Sequence, residues 1–373
     1  MANLFDYLLW RNDVPLSLDP FGEVDNLLLS ELAYTDFGSI VPEDGGEIPL
    51  ADACAAFFAS HERDAILECT AYTAKAPLLM ETMVTGVRFG GMRLCRYINR
   101  VDREKDAQIS AVTCLLDDGT AFVAFRGTDG SVVGWKEDFE LSYLSGTAGQ
   151  QAAAQYLADT AARIPRPLRV GGHSKGGNFA VYACIFAPDT VKDRIINVYT
   201  NDGPGFRPDI TALPEYQALL PKIVSIVPES SIIGRLLRSG TAPIVVKSSA
   251  QGIVQHDGFS WQILKNRFEP SSPSPLSDFM ETTVRAWSDE LDDAQWKVIV
   301  DLIFSMLEAT GFDTLSSINE QKRRSIEVMF SALRQLPKKE QAEGLAILGH
   351  LIVSSSHSAA QFLQSRQEKQ NPQ

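Results

Sequence analysis

Residues 170–184 read VGGHSKGGNFAVYAC, and the character of the chain changes inside them. The apolar run PLRV stops at two glycines, a lone serine follows, then two more glycines, then an apolar helical pattern. A buried strand turning sharply into a helix fits this order, because small residues let the two approach closely. Gly172-His173-Ser174-Lys175-Gly176 is then a G-x-S-x-G element in the strand-to-helix context that a nucleophile elbow requires. At such a turn the serine Oγ projects from the sheet edge above a helix N-terminus, whose dipole and free N–H groups suit an oxyanion. The plainer alternative is a Gly-rich turn that binds phosphate or nothing. Neither G-x-x-x-x-G-K-[ST] nor G-x-G-x-x-G occurs here to support phosphate.

Working outward, the pattern is that of an α/β chain. FGGMRLCRYINRV, AQISAVTCLL and TAFVAFRG are short alternating runs split by turn signals and predict an antiparallel meander. An Ala-rich helix over 146–163, the strand PLRVGG, a helix over 177–187, and the strands RIINVYTND, KIVSIVP and APIVVKS follow. Apolar strands alternating with helices predict a parallel sheet covered on both faces. Before the sheet, residues 25–34 and 50–80 carry helical spacing and form a helical N-terminal section. After it, 292–309, 321–335 and 338–361 read as amphipathic helices without strands between them, an all-helical C-terminal extension. EPSSPSPLSD, residues 269–278, reads as a linker.

Composition narrows the function. The 373 residues carry a net charge of -13. That balance opposes binding along nucleic acid or an anionic lipid surface. No apolar stretch reaches the roughly 20 residues that span a bilayer, and the N-terminus has no basic region, so the expected location is the cytoplasm. Cys54, Cys69, Cys95, Cys114 and Cys184 are scattered, without a C-x-x-C pair, and read as buried free thiols. No metal and no organic cofactor is expected.

A serine hydroxyl needs a base, sought downstream with an acid between. His350 lies in the apolar LAILGHLIV and His357 in SSSHSAA, and both read as structural. His256, in GIVQHDGFSWQI, follows the last strand by a short loop and is the favoured base. Two acids qualify: Asp202 at the end of IINVYTND, before a Gly-Pro-Gly turn, and Glu229 at the end of KIVSIVPE. Asp202 is preferred and Glu229 is the alternative. Asp257, beside His256, reads as a turn residue. For the oxyanion, the loop after AFVAF supplies Thr128, with a backbone N–H and a hydroxyl, and Lys175 supplies a second N–H. Arg126 reads as ordering that loop; Asp129, Trp135 and Asp138 fit pocket, lid or surface alike. His173 reads as an elbow residue and not the base.

With FRGT at 125–128, the GHSKGG elbow and His256 together, the central region resembles the class 3 lipases. DYLLWRND, DPFGEVDNLLLSELAY, NDGPGF, VPESSIIG and HDGFSWQ extend the resemblance to a bacterial branch of lipase-like α/β-hydrolases, over roughly residues 4 to 265. The resemblance implies an α/β-hydrolase fold and a Ser-Asp-His triad, without a particular substrate. One departure is that class 3 lipases usually carry an aspartate after the strand matching KIVSIVP, where this chain has serine. That departure favours Asp202.

The expected organisation is an α/β-hydrolase domain over 1–268, the linker 269–278 and the helical extension 279–373. The expected activity is hydrolysis of a carboxylic ester, with a small acyl ester or lipid as substrate and without stable membrane insertion. Alternatives are a thioesterase or peptidase using the same triad, or a non-catalytic hydrolase-fold scaffold. The C-terminal helices are open to docking on the centre, capping it, or holding a protein partner.

Overall fold

In a computed structural model of the chain, residues 2–69, 72–129 and 131–310 are described, with 328, 331, 333, 334, 338, 341–347, 349 and 351. One eight-stranded sheet runs in chain order: β1 (Glu47–Pro49), β2 (Arg93–Asp102), β3 (Ala107–Leu115), β4 (Ala121–Phe125), β5 (Leu168–His173), β6 (Ile195–Asn201), β7 (Ile223–Pro228) and β8 (Ile244–Val246). β1 to β4 pair antiparallel and β4 to β8 pair parallel. The meander and the parallel α/β half are both present as expected. A two-stranded hairpin, β9 (Ile263–Leu264) and β10 (Arg267–Phe268), follows.

β4 explains why these strands read as continuously apolar. All five of its residues are buried, and they alternate between two cores. Phe122 and Ala124 enter one, with Ala121, Val123 and Phe125 in the other. Both faces are covered, so period-two alternation selects which core a side chain joins and not whether it is buried. The first core is closed by the N-terminal helices α1 (Leu4–Arg11), α2 (Glu23–Leu32), α3 (Leu50–Phe58), α4 (Arg63–Glu68) and α5 (Leu78–Met83). The opposite face is covered mainly by α6 (Val132–Glu140), α7 (Ala148–Arg163) and α8 (Lys175–Ile185), with the short α9 (Asp189–Lys192), α10 (Pro208–Thr211) and α11 (Pro214–Leu219). Helices α12 (Pro275–Glu290) and α13 (Asp293–Glu308) follow, and every described residue from 328 to 351 is helical.

Several details differ from the sequence reading. The helical stretch 50–80 is broken into α3, α4, a 3-10 turn at Tyr72–Lys75 and α5, because a turn at 59–62 and Pro77 interrupt the i to i+4 pattern. Strand β1 and helices α6 and α12 were not foreseen. Residues 269–274 run along the sheet edge, with Ser271 N–H donating to Val245 O at 2.9 Å and Ser274 N–H to Glu229 O at 2.6 Å. The next four open α12 behind its N-cap Ser274. Cys54, Cys95, Cys114 and Cys184 are buried, but Cys69 is exposed. Most of 321–335 and 338–361, including His350 and His357, lies outside the described residues.

The N-terminal section is locked by a buried ion pair. Arg88 donates to Asp25 from Nε at 2.7 Å and from Nη2 at 2.5 Å, and its Nη1 reaches the carbonyls of Val14 and Asp19. Asp25 also accepts from Tyr7 Oη and the Gly22 N–H. Removing one partner strands the other charge in the core. Arg88→Leu is therefore expected to cost about 3 to 5 kcal/mol, read as a fall in the denaturant midpoint at constant m-value.

Candidate active site

The sheet register assembles the site. Phe125 pairs with Gly172 and His173 pairs with Asn201. The residues just past those positions are Arg126 to Thr128, Ser174 and Asp202, so three loops meet at the carboxyl edge of neighbouring parallel strands, where open α/β sheets form clefts. Ser174 joins β5 to α8 at φ 57 and ψ -133, a left-handed conformation for a residue with a Cβ. A Cβ on Gly176 would lie 2.1 Å from Phe125 O, and one on Gly172 would lie 2.3 Å from Gly176 C. The flanking glycines are what allow strand and helix to close on the serine.

His256 ends the 3-10 turn Gly252–His256. Its Nδ1 lies 2.7 Å from Asp202 Oδ2. A carboxylate accepts only, so Nδ1 carries a proton, and in the neutral ring Nε2 is then the nitrogen with the lone pair. Asp202 is 1% exposed and, like Ser174, has a positive φ. Its other oxygen accepts from Ser231 Oγ and, at 3.1 Å, from the Gly234 N–H. Ser231 belongs to ESSIIG, so the segment after β7 supplies a donor to a carboxylate at the end of β6. Glu229 instead accepts from Ser271 Oγ at 2.6 Å and Gln255 Nε2 at 3.4 Å. Of the two acids, only Asp202 is bonded to the His256 ring.

On the opposite side, Thr128 Oγ1 donates to Asp138 Oδ2 at 2.6 Å. Its single hydroxyl proton is thereby used, which leaves the backbone N–H as the donor Thr128 can offer, not both groups. Lys175 is the first residue of α8, whose N–H has no acceptor within the helix. Its side chain is buried, with Nζ 3.1 Å from Glu137 Oε2. Glu137 also accepts from the N–H groups of Gln108 and Gly149 and from Thr147 Oγ1. One carboxylate on α6 thus ties β3, α7 and α8 together beside the serine. Burial pushes the Asp138 carboxyl up to about 6, against the opposing pull of Lys175. Arg126 orders its loop through Asn99 and Asp129, and Trp135 packs on the cluster formed by the C-terminal helices. Asp257 caps the next turn by accepting from the Phe259 N–H.

Glu137, Ser231 and Tyr34 were not anticipated. Only Glu137 left a trace in the sequence: a lysine at the start of an otherwise apolar helix needs a carboxylate partner. Among the described residues, no group of three or more His, Cys, Asp or Glu could hold a metal ion, and no helix is long and apolar enough to cross a membrane.

A family model described as Mbeg1-like matches residues 83–305, from the end of α5 into α13. The chain belongs to the Mbeg1-like family. The match spans all the strands from β2 onward and contains Thr128, Ser174, Asp202 and His256. No curated protein matches the chain. Among solved structures it is similar to M37 lipase, at 14% identity over 56% of this chain and 68% of that one, with a TM-score of 0.36. It is also similar to the native Rhizomucor miehei lipase propeptide complex, at 14% identity over 60% and 66% of the two chains, TM-score 0.35. A fungal lipase in complex with an inhibitor matches at 15% identity over 59% and 76%, TM-score 0.32.

Proposed function

We propose that this member of the Mbeg1-like family is a serine hydrolase of carboxylic esters, acting on a small acyl ester or lipid through an acyl-enzyme. Ser174 Oγ attacks the acyl carbonyl as His256 Nε2 takes its proton, and His256 then returns that proton to the leaving alcohol. Water, deprotonated by the same nitrogen, releases the acid and restores Ser174. Asp202 holds the ring and stabilises the imidazolium. The Thr128 and Lys175 N–H groups receive the oxyanion, at about 3 to 4 kcal/mol per aligned donor.

The observation that carries this reading is the 2.7 Å bond from His256 to Asp202 beside a serine held at a strained strand-to-helix turn. Strain of this kind costs on the order of 1 to 3 kcal/mol and concentrates at functional sites. The test is incubation with a fluorophosphonate probe, followed by peptide mapping, alongside turnover of short- and long-chain p-nitrophenyl esters. Labelling confined to the peptide bearing Ser174 is the expected result. A folded protein that neither labels nor turns over any ester defeats the reading.

A further inference from the structure

Tyr34 follows α2 in the N-terminal section, outside the segment that matches the family model. Its hydroxyl nevertheless touches both halves of the candidate site. Tyr34 Oη lies 3.1 Å from His173 Nδ1, and Gly127 packs against the same oxygen. Gly127 is so close that a Cβ there would lie 2.4 Å from Tyr34 Oη. On the far side of the imidazole, His173 Nε2 lies 2.7 Å from the carbonyl oxygen of His256.

The donors and acceptors fix one direction for this chain. A carbonyl only accepts, so His173 Nε2 carries the proton; Nδ1 must then accept, and the single Tyr34 proton goes to it. Burial, with the His256 charge second, lowers the His173 pKa to about 3, so the ring stays neutral and keeps this tautomer. Glu31, 3.8 Å away, does not charge it, because its own burial drives that carboxyl well above its ordinary range. The ring of His173 also lies against that of His256, with centroids 4.6 Å apart.

We infer that Tyr34 and His173 are positioning residues that tie the oxyanion loop at Gly127 to the backbone of His256, so that the N-terminal section completes the site. This rests on the serine-hydrolase reading for its effect on turnover, but the bonds are testable without it. The physical consequence is joint placement: Thr128, next to Gly127, and the general base are held from one hydroxyl. A displacement of about 1 Å in either would lower the rate while leaving substrate binding in place.

Tyr34→Phe removes only the hydroxyl. The expected outcome is a fall in kcat of about tenfold or more with KM within about twofold, and slower fluorophosphonate labelling of Ser174. Imidazole nitrogen NMR, practical with five histidines in the chain, is expected to show the His173 Nε2–H tautomer in the parent and a displaced His173 Nδ1 resonance in the variant, where that nitrogen loses its donor. If Tyr34→Phe does not fold, His173→Gln and His173→Leu decide. Glutamine can donate to His256 O and accept from Tyr34, so it is expected to retain several-fold more turnover and labelling than leucine. Unchanged kcat, labelling and His173 Nδ1 resonance in Tyr34→Phe, or equal losses in the two His173 variants, overturn the inference. Absence of labelling in the parent defeats the hydrolase reading instead, and the His173 nitrogen resonances still judge the link.

Discussion

Ser174→Ala is expected to fold like the parent and to lose roughly a million-fold in kcat for p-nitrophenyl butyrate. The alanine keeps the backbone of the elbow, so the Thr128 and Lys175 N–H groups and the substrate contacts survive. A residual acceleration of about 10³ to 10⁴ over water should remain from them. Fluorophosphonate labelling should vanish altogether, since among the described residues Ser174 is the serine that combines a positive φ with a strand-to-helix turn. A companion variant separates strain from chemistry. Ser174→Gly, equally inactive, should be more stable than the parent by about 1 kcal/mol, because glycine adopts φ 57 without steric cost. Chemical denaturation and steady-state kinetics on the same preparations measure both effects. An alanine variant with near-parental turnover would remove Ser174 from the mechanism.

The next largest effect is expected from Asp202→Asn, about 10⁴-fold in kcat. The asparagine keeps the shape but can present an N–H to His256 Nδ1, which drives the ring toward the tautomer whose Nε2 is protonated and unable to accept from Ser174. The supports on the other oxygen, Ser231 Oγ and the Gly234 N–H, hold the side chain in place and make reorientation difficult. Glu229→Gln is the contrast. Its partners are Gln255 and Ser271, so a change of a few-fold is expected through the loop that carries His256. Parallel kinetics on the two variants assign the acid. Loss confined to Glu229→Gln would reverse the assignment.

The candidate site was legible where its signals are local. The elbow at Ser174 shows because its glycines are adjacent in sequence, and each answers a contact between the ends of the same strand and helix. The alternation from β4 onward shows because burial on both faces demands an unbroken apolar run. Long-range features did not show. Helix α6 buries the charged Glu137 and exposes Phe139, and packs partly on α13, so its polar and apolar residues do not sort by helical period in isolation. The stretch 50–80 misled because alanines with helical spacing outweighed the turn at 59–62 and Pro77.

By itself, the sequence determined the α/β class, the helical sections on either side of the sheet, the elbow at Ser174, and a short set of histidines and acids from which a base and its partner had to come. Only the tertiary structure decided which of them stand together. His256 and Asp202 are 54 residues apart and meet because β6, β7 and β8 run parallel side by side and the turn after β8 reaches the end of β6; Tyr34 and His173 are 139 residues apart and meet because α2 packs on β5. Composition and spacing encode which face of an element is buried. Which side chains then face one another is set by strand order and register, a property of the whole sheet that no short stretch contains.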